Sequence, residues 1–394
     1  MIHTNNGGIN PPISDSSTYT FATAKEMQDT FEGLSESNYL YSRHSSPSNT
    51  MLEQALAKME FTEAANVYAS GMGAIVSVIL QLCTSGDHIV CSRTIYGGTY
   101  AFLKNFLAKF QIQVSFVDIT KIDAVEKAIL PTTKLVYTES MSNPLLEIAD
   151  IKALSNLTKS RQIPLVVDNT FCPLIVNPAK LGADIIVHSL TKFINGASDC
   201  VAGAVCASKT FCQELKDVNT GAAMLLGSTL DSLRAASILK NMHTLPIRIE
   251  KHSSNALYLA QQFQQDGFEV VYPGLPSHPN HYLLSEQMNK TYGFGGLLTL
   301  NVGSLEKANA LMELMQSLQI GHLAVSLGYY KTLFSAPGTS TSSEIPETEQ
   351  KAMGLSQGVI RFSVGLDTNI QHTYQLIKSC MEKLGILDKS TIYA

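Results

Sequence analysis

The sequence predicts an α/β fold in which a large domain with a mainly parallel sheet flanked by helices precedes a smaller α+β domain. Short apolar runs alternate with amphipathic segments through the middle of the chain, which is typical of βαβ crossovers covering a sheet on both faces. After about residue 245 the pattern changes to longer helical segments that separate isolated strands. We therefore predict a large domain at residues 50–245 and a small domain at residues 246–394.

The first 49 residues differ from the rest of the chain. They are rich in Ser, Thr, Asn, Gly and Pro, with no sustained helical or strand period. We expect an extended arm that contacts a neighbouring subunit, because so long an irregular segment is unusual within a compact monomer. From Thr50 the pattern becomes helical, with Thr50 and Glu53 spaced as a capping box.

The apolar runs and amphipathic stretches give the predicted elements in chain order. A helix is expected after the small residues at 69–74, and further helices at 123–129, 150–161, 249–263, 305–318 and the C-terminal end. The predicted strands of the large domain cover residues 89–91, 114–117, 134–137, 164–167, 184–187 and 201–206. Those of the small domain cover residues 268–272, 296–302, 323–327 and 359–364.

Composition excludes several classes of function. The 394 residues are 45% hydrophobic and 15% charged, which indicates a densely folded chain and not a disordered one. The net charge of −5 leaves no basic excess for nucleic acid. No apolar run approaches the ~18 residues of a membrane span, and the N-terminus does not resemble a signal peptide. We therefore expect a cytoplasmic protein that binds neither nucleic acid nor membrane.

The cysteines also favour a cytoplasmic protein. The seven cysteines form an odd set without a C-x-x-C pair, which argues against a disulfide framework and against a zinc ribbon. We expect a reducing compartment and no metal site.

Three local patterns carry the candidate chemistry. Asp168 follows a buried apolar run directly, and a carboxylate there needs a cationic partner. Lys192 follows another strand just beyond Ser189 and Thr191, which makes it a candidate amine nucleophile. Small residues, including Gly71 with Met72, open an apolar helix whose N-terminus suits an anion.

Each pattern alone has an ordinary explanation as a turn, a loop or a helix start. Together they suit one ligand, since a pyridinium nitrogen favours a buried carboxylate, an aldehyde reacts with a lysine, and a phosphate binds amides and hydroxyls. Pyridoxal 5′-phosphate (PLP) has all three groups.

A series of motifs in order identifies the family that the chain resembles. They are Tyr41-Ser-Arg43, Ser70-Gly-Met72, Tyr96-Gly-Gly-Thr99, Glu139 with Asn143-Pro144, Val167-Asp-Asn-Thr-Phe171, His188-Ser-Leu-Thr-Lys192, Ala324-Val-Ser-Leu-Gly328 and Ile360-Arg-Phe-Ser-Val-Gly365. With these the sequence resembles the Cys/Met-metabolism family of PLP-dependent enzymes, which includes cystathionine β- and γ-lyases, methionine γ-lyase, cystathionine γ-synthase and O-acylhomoserine sulfhydrylases. The resemblance covers almost the whole chain and implies the fold type I architecture of PLP-dependent transferases.

The resemblance implies a role for each motif residue. Lys192 would form the imine with the cofactor and then move protons on the substrate, while Asp168 would pair with the pyridine nitrogen. Tyr96 would stack on the ring and exchange a proton with the substrate or leaving group. The phosphate and the lysine would be held by Ser189, Thr191, Gly71 and Met72.

Other motif residues are implied to bind substrate or a second subunit. Arg361 would grip the substrate carboxylate, with Asn143 and Ser326 completing the pocket. Tyr41 and Arg43 would reach the phosphate of a neighbouring subunit, in a dimer that pairs into a tetramer.

The resemblance favours a carbon–sulfur lyase that releases a thiol, ammonia and a 2-oxo acid by β- or γ-elimination from cystathionine, methionine or cysteine-like substrates. The alternative is a γ-replacement enzyme that joins a thiol to an activated homoserine. Leu40 favours a less polar substrate, as in methionine γ-lyases, whereas Gly98 matches the cystathionine enzymes. Lys331 would be either a solvated surface charge or a group that attracts a second substrate carboxylate.

Overall fold

Two sheets with helices packed around them make up the protein in a computed structural model, which describes residues 8–34, 38–340, 346, 348, 350 and 355–387. The seven-stranded sheet lies within residues 64–207 and the five-stranded sheet within residues 269–363. The parts of the chain around these two sheets are called the large and the small domain. The predicted α/β class is confirmed.

The large sheet is parallel over most of its width. Its order is β1-β7-β6-β5-β4-β2-β3, with β7 antiparallel to β6, β1 antiparallel to β7, and the other neighbours parallel. The strands are β1 (Ala64–Tyr68), β2 (His88–Ser92), β3 (Gln113–Val117), β4 (Thr133–Glu139), β5 (Leu165–Asp168), β6 (Ile185–Ser189) and β7 (Gly203–Ala207). The sequence analysis missed β1, because the polar Asn66 interrupts its apolar residues.

Helices cover both faces of this sheet, as a mainly parallel sheet requires. The α-helices whose bounds the structure describes are α1 (Ala24–Phe31), α2 (Pro47–Glu60), α3 (Gly71–Leu82), α4 (Gly97–Ala101), α5 (Ile122–Ala128), α6 (Ile151–Ser160), α7 (Lys209–Leu215), α8 (Ala222–Leu226), α9 (Ser232–Met242), α10 (Leu245–Gln265), α11 (His281–Gln287), α12 (Leu305–Ser317) and α13 (Ile370–Lys383). One apolar layer lies against α3 and the other against α2, α6 and α9.

The small domain packs α10, α12 and α13 against a mostly antiparallel sheet of order β10-β11-β12-β9-β8. Its strands are β8 (Glu269–Val271), β9 (Leu297–Asn301), β10 (His322–Leu323), β11 (Leu333–Ser335) and β12 (Val359–Ser363). The strand predicted over 323–327 is present but shorter, since β10 ends at Leu323. The Ala324 amide makes the last bond to β11, and the chain then turns at Gly328, where φ is +76°.

The helix starts correct two further predictions. Helix α2 begins at Pro47, because the Ser46 hydroxyl accepts from the Asn49 amide (3.2 Å), so Ser46 and not Thr50 is the cap. The N-terminal arm, expected to be irregular, contains α1, which Thr23 caps in the same way. Helix α10 runs continuously across the start predicted for the small domain.

No helix in the described part of the chain is long and apolar enough to cross a membrane. Within the same residues, no group of three or more His, Cys, Asp and Glu side chains is placed to hold a metal ion.

Candidate active site

A cavity of about 270 Å³ opens where β4, β5 and β6 end, beside the N-terminus of α3. This is the edge at which open α/β sheets bind ligands. The cavity brings together most of the predicted site residues, namely Gly71, Met72, Tyr96, Asn143, Asp168, Ser189, Thr191, Lys192 and Arg361. Ser326 joins them through a contact with Lys192.

Two buried carboxylates lie side by side at this edge. Asp168 ends β5 and Glu139 ends β4, and the two residues are partners in the parallel ladder. Asp168 is 8% exposed and accepts from the Thr170 amide (3.0 Å) and the Tyr137 hydroxyl (3.4 Å). Burial raises the pKa of both carboxyls, and the nearby Asp168 charge raises the pKa of Glu139 further. A positively charged ligand group in the cavity, next to Asp168, would stabilise the ionised form of the two carboxylates.

Lys192 lies in the turn that follows β6. Its Nζ donates to the Ser326 hydroxyl at 3.0 Å. Burial, together with the positive charge of Arg361, lowers the pKa of the Lys192 ammonium from 10.5 to about 8. A substantial fraction of this amine is therefore neutral near physiological pH, as a nucleophile or base requires.

This lowered pKa predicts how Lys192 reacts in the cofactor-free protein. We expect the rate of Lys192 acylation by an amine-reactive ester to rise with pH with a midpoint near 8, because the neutral amine is the reacting form. Mass spectrometry of Lys192-containing peptides after hydroxylamine removal of the cofactor measures the rate. A midpoint near 10.5 would contradict the assignment; peptides from a Lys192→Ala protein give the background.

The start of α3 and the end of β6 form a close-fitting polar cradle. The Ser70 hydroxyl caps α3 by accepting from the Gly73 amide (2.9 Å), and the first-turn amides of Gly71 and Met72 have no partner within the helix. A Cβ on Gly71 would lie 2.9 Å from the Cβ of Ser189, so glycine lets the helix approach this strand end. Amides and hydroxyls that line a cavity at a helix N-terminus suit a phosphate.

The hydroxyls of Thr191 and Thr170 hold the backbone around this polar cradle in place. The Thr191 hydroxyl donates to the carbonyl of Ala202 and accepts from its amide (3.2 and 3.0 Å). The Thr170 hydroxyl accepts from the Ser189 amide at 2.8 Å. Sequence reasoning singled out Thr191 but missed Thr170, although it lies in the motif that contains Asp168.

Arg361 is a buried cation on β12 that faces the cavity. It is 2% exposed, and its described hydrogen bonds go to neutral oxygens: Nη1 donates to Asn143 Oδ1 (2.8 Å) and Nη2 to the Ser326 carbonyl (3.3 Å). Its Nε is buried without a partner among the described residues. Burial lowers the pKa of the guanidinium to about 10, so it stays charged near neutral pH. A substrate carboxylate would supply the missing counter-charge.

Glu139 organises both sides of the cavity, a role that its motif did not reveal. One carboxylate oxygen accepts from the Tyr96 amide (2.7 Å) and the other from the Asn143 amide (2.9 Å). Tyr96 lies at the cavity mouth, 43% exposed, and Asn143 contacts Arg361. A Cβ on Gly98 would lie 2.5 Å from the Tyr96 ring, so the small residue at 98 also fixes the place of Tyr96.

Replacing Glu139 by glutamine tests this role. The amide nitrogen of glutamine would face one of the two backbone N–H groups, leaving a buried donor unpaired at a cost of about 1–3 kcal/mol. We expect Tm to fall by a few degrees and both kcat and KM to change, because Tyr96 and Asn143 lose a common anchor. The matched control is Glu126→Gln, which removes an exposed ion pair with Arg161. Unchanged kinetics with an unchanged Tm would refute the role.

Tyr41 and Arg43 do not line this cavity in their own chain. The Arg43 guanidinium donates to the Met224 carbonyl (3.1 Å) and lies 5.8 Å from the centre of the Tyr41 ring. Both residues are exposed. Lys331 is also exposed and outside the cavity lining. Leu40 is half-buried and lines a separate groove beside the N-terminal arm.

The residues present fit PLP. The cofactor's phosphate matches the cradle at α3, its pyridine nitrogen can bring a positive charge to the buried carboxylate pair, and its aldehyde can react with the neutral form of Lys192. When bound, PLP acts as an electron sink for a carbanion at the substrate α-carbon.

A cavity with this arrangement belongs to enzymes that transform amino acids with the help of a phosphorylated pyridine aldehyde. Residues 2–378 match the family described as Cys/Met metabolism PLP-dependent enzyme, and the chain belongs to this family. The predicted family and the PLP cofactor are thereby confirmed. Methionine gamma-lyase relatives confirm the predicted enzyme class, a PLP-dependent carbon–sulfur lyase.

Similar proteins support the same assignment. A methionine gamma-lyase of Arabidopsis thaliana is 45% identical over 365 residues, which cover 91% of this chain and 83% of that protein. The structure of a cystathionine gamma-lyase from Lactobacillus plantarum complexed with L-serine matches with a TM-score of 0.84 at 29% identity, covering 94% of this chain and 93% of that one. A protein named as an O-acetylhomoserine (thiol)-lyase from Campylobacter jejuni matches with a TM-score of 0.88 at 29% identity, covering 96% of both chains, and carries N′-pyridoxyl-lysine-5′-monophosphate.

Proposed function

We propose that the protein eliminates methanethiol from methionine, leaving ammonia and 2-oxobutanoate. The observation that carries this proposal is the apolar part of the cavity lining. Its charged groups already have roles, since Asp168 and Glu139 form the carboxylate pair while Lys192 and Arg361 serve as amine and carboxylate anchor. The remaining wall is largely hydrophobic and suits a thioether better than a charged side chain; it includes Ile75, Met141, Phe171, Val201, Val325 and Leu327.

The chain's own residues would divide the work as follows. Arg361, held by Asn143, binds the substrate carboxylate and orients the α-carbon toward Lys192. The Lys192 amine takes the α-proton and moves protons between the α- and β-carbons. Asp168 keeps the pyridine nitrogen protonated.

Tyr96 would complete the chemistry at the cavity mouth. As a phenolate its side chain would take a proton from the incoming amino group, and as a phenol it would protonate the departing sulfur. Its position depends on Glu139, which holds its backbone, and on Gly98, which leaves room for its ring.

A substrate panel tests the proposal. Methionine, cystathionine, cysteine and O-acetylhomoserine are compared by kcat/KM, with 2-oxo acid and thiol measured separately. We expect methionine to give the highest kcat/KM and equal amounts of 2-oxobutanoate and methanethiol. A preference for cystathionine would overturn the choice of substrate. Thioether formation from O-acetylhomoserine and a thiol, without 2-oxo acid release, would show γ-replacement instead.

We propose further that the protein works in the cytoplasm as a homotetramer built from two dimers, each active site taking Tyr41 and Arg43 from the neighbouring subunit. These two residues are exposed and outside their own chain's cavity. Exposed apolar side chains lie at the cavity, where Val201 lines it, and on α8, where Leu225 and Leu226 follow the Met224 carbonyl that Arg43 contacts. An apolar surface of this kind suits a subunit interface.

Mixed subunits test the shared site. Arg43→Ala should weaken cofactor retention, measured by absorbance after gel filtration. Hybrids of Arg43→Ala and Lys192→Ala chains, refolded together, should then gain activity at limiting cofactor, because one site of each hybrid dimer has both native residues. Additive activity in the mixture, or unchanged cofactor affinity of Arg43→Ala, would refute the sharing. Sedimentation velocity gives the oligomeric state.

A further inference from the structure

The turn that follows Lys192 is held by an arginine from a distant part of the sequence. Arg248, in the first turns of α10, donates from Nη1 to the Phe193 carbonyl (2.5 Å) and from Nη2 to the Ile194 carbonyl (2.9 Å). Nη2 also donates to the Asn241 carbonyl (3.1 Å). These described bonds all go to neutral oxygens. The guanidinium therefore serves as a planar fork on the backbone next to Lys192, a geometry that a lysine cannot reproduce.

Two glycines show how closely this turn is packed. A Cβ on Gly196, where φ is +70°, would lie 2.3 Å from Arg248 Nη1, so the turn leaves room for the guanidinium. On the other side, a Cβ on Gly328 would lie 2.4 Å from the Phe193 amide nitrogen. The backbone after Lys192 is thus enclosed between α10 and the 324–328 segment that carries Ser326.

The same helix also contacts the strand that carries the carboxylate anchor. One turn after Arg248, His252 is fully buried, and its Nδ1 donates to the Val364 carbonyl (2.6 Å), just past the end of β12. The imidazole and the Phe193 ring pack in a T-shaped arrangement, with centroids 5.2 Å apart. Helix α10 therefore touches both the Lys192 turn and the end of the Arg361 strand.

We propose that Arg248 is a positioning residue that fixes Lys192 relative to Arg361 by holding the backbone of Phe193 and Ile194 against α10. The inference rests on the proposed role of Lys192 as the amine that moves substrate protons. Without the guanidinium the turn loses two anchors, and the amine moves out of line with the α-carbon. Because a displacement of about 1 Å in such a group can lower a rate by 10²-fold, the effect falls mainly on kcat.

The test compares Arg248→Met and Arg248→Lys with Arg161→Met, which removes a guanidinium from an exposed ion pair with Glu126. In the holoenzyme we expect Arg248→Met to lower kcat about 10²-fold while KM changes less than about threefold. Arg248→Lys should recover part of this loss, since it retains one charged donor. Arg161→Met should match the wild type.

A second readout does not depend on the substrate. The pH midpoint of Lys192 acylation in the cofactor-free chain should rise in Arg248→Met and, to a smaller extent, in Arg248→Lys, because a loosened turn admits water to the amine. Because no substrate is used, this measurement distinguishes a failure of the Arg248 inference from a failure of the proposal that methionine is the substrate. A kcat within threefold of wild type and an unchanged midpoint would overturn the inference. If Arg248→Met does not fold, the same two measurements on Arg248→Lys decide.

Discussion

Replacing Lys192 by alanine is expected to lower kcat/KM for methionine by at least about 10⁴-fold, the upper range of what one proton-transferring group contributes. Within the described part of the chain, Lys192 is the amine that lines the cavity, and its lowered pKa provides the neutral form that proton removal needs. Steady-state kinetics with 2-oxo acid detection measures the loss. Borohydride reduction should fix the cofactor to wild-type protein and fail to do so in the variant.

Two controls separate chemistry from folding. Lys192→Arg keeps a long cationic side chain but cannot lose its proton near neutral pH, so it should be as inactive as the alanine variant. Lys240→Ala, at an exposed position on α9, should keep full activity. Retention of more than about 1% activity by Lys192→Ala, against the 10⁴-fold loss expected for a proton-transferring group, would show that another group moves the proton.

Replacing Arg361 by lysine is expected to lower kcat/KM for methionine by about 10²–10⁴-fold, although the charge is retained. The guanidinium can give a carboxylate two charge-assisted hydrogen bonds, each worth about 1.5–3 kcal/mol, and it is already oriented by Asn143 and the Ser326 carbonyl. Lysine offers a point charge without the fork. The loss should appear mostly as a higher KM, because the carboxylate contact exists before and during the reaction.

An amine analogue provides the control. 3-(Methylthio)propylamine has the side chain of methionine without its carboxylate, so its inhibition constant should be nearly the same in wild-type and Arg361→Lys protein. The Tm of the two proteins shows whether the buried replacement is tolerated. A KM for methionine within threefold of wild type would contradict the assignment of Arg361 as the carboxylate anchor.

The sequence was sufficient to predict the site residues that lie at the ends of neighbouring strands. Asp168 and Lys192 end neighbouring strands, and parallel strands present their carboxyl ends at one edge, so their meeting follows from the strand pattern. Arg361 is more than 160 residues away from Lys192 along the chain, and only the family motif linked it to the cavity. The structure places all three in the lining of one cavity.

The residues that sequence reasoning missed act through backbone contacts across the fold. Glu139 was visible as a motif residue, but its bonds to the Tyr96 and Asn143 amides depend on which loops fold over β4. The role of Arg248 could not be predicted from the sequence, because an arginine in an amphipathic helix usually faces solvent. Its bonds to Phe193 and Ile194 depend on how α10 packs against the large domain.

The carboxylate pair formed by Asp168 and Glu139 also links cofactor occupancy to protons. Burial raises the pKa of both groups, which shifts each carboxyl toward its protonated form relative to a solvated one. The positive pyridine ring of the cofactor would lower both pKa values, so its release would favour proton uptake by the pair. By mass action, the affinity for the cofactor should fall at low pH and rise at high pH. The neighbouring carboxylates thus couple the occupancy of the site to the acidity of its surroundings.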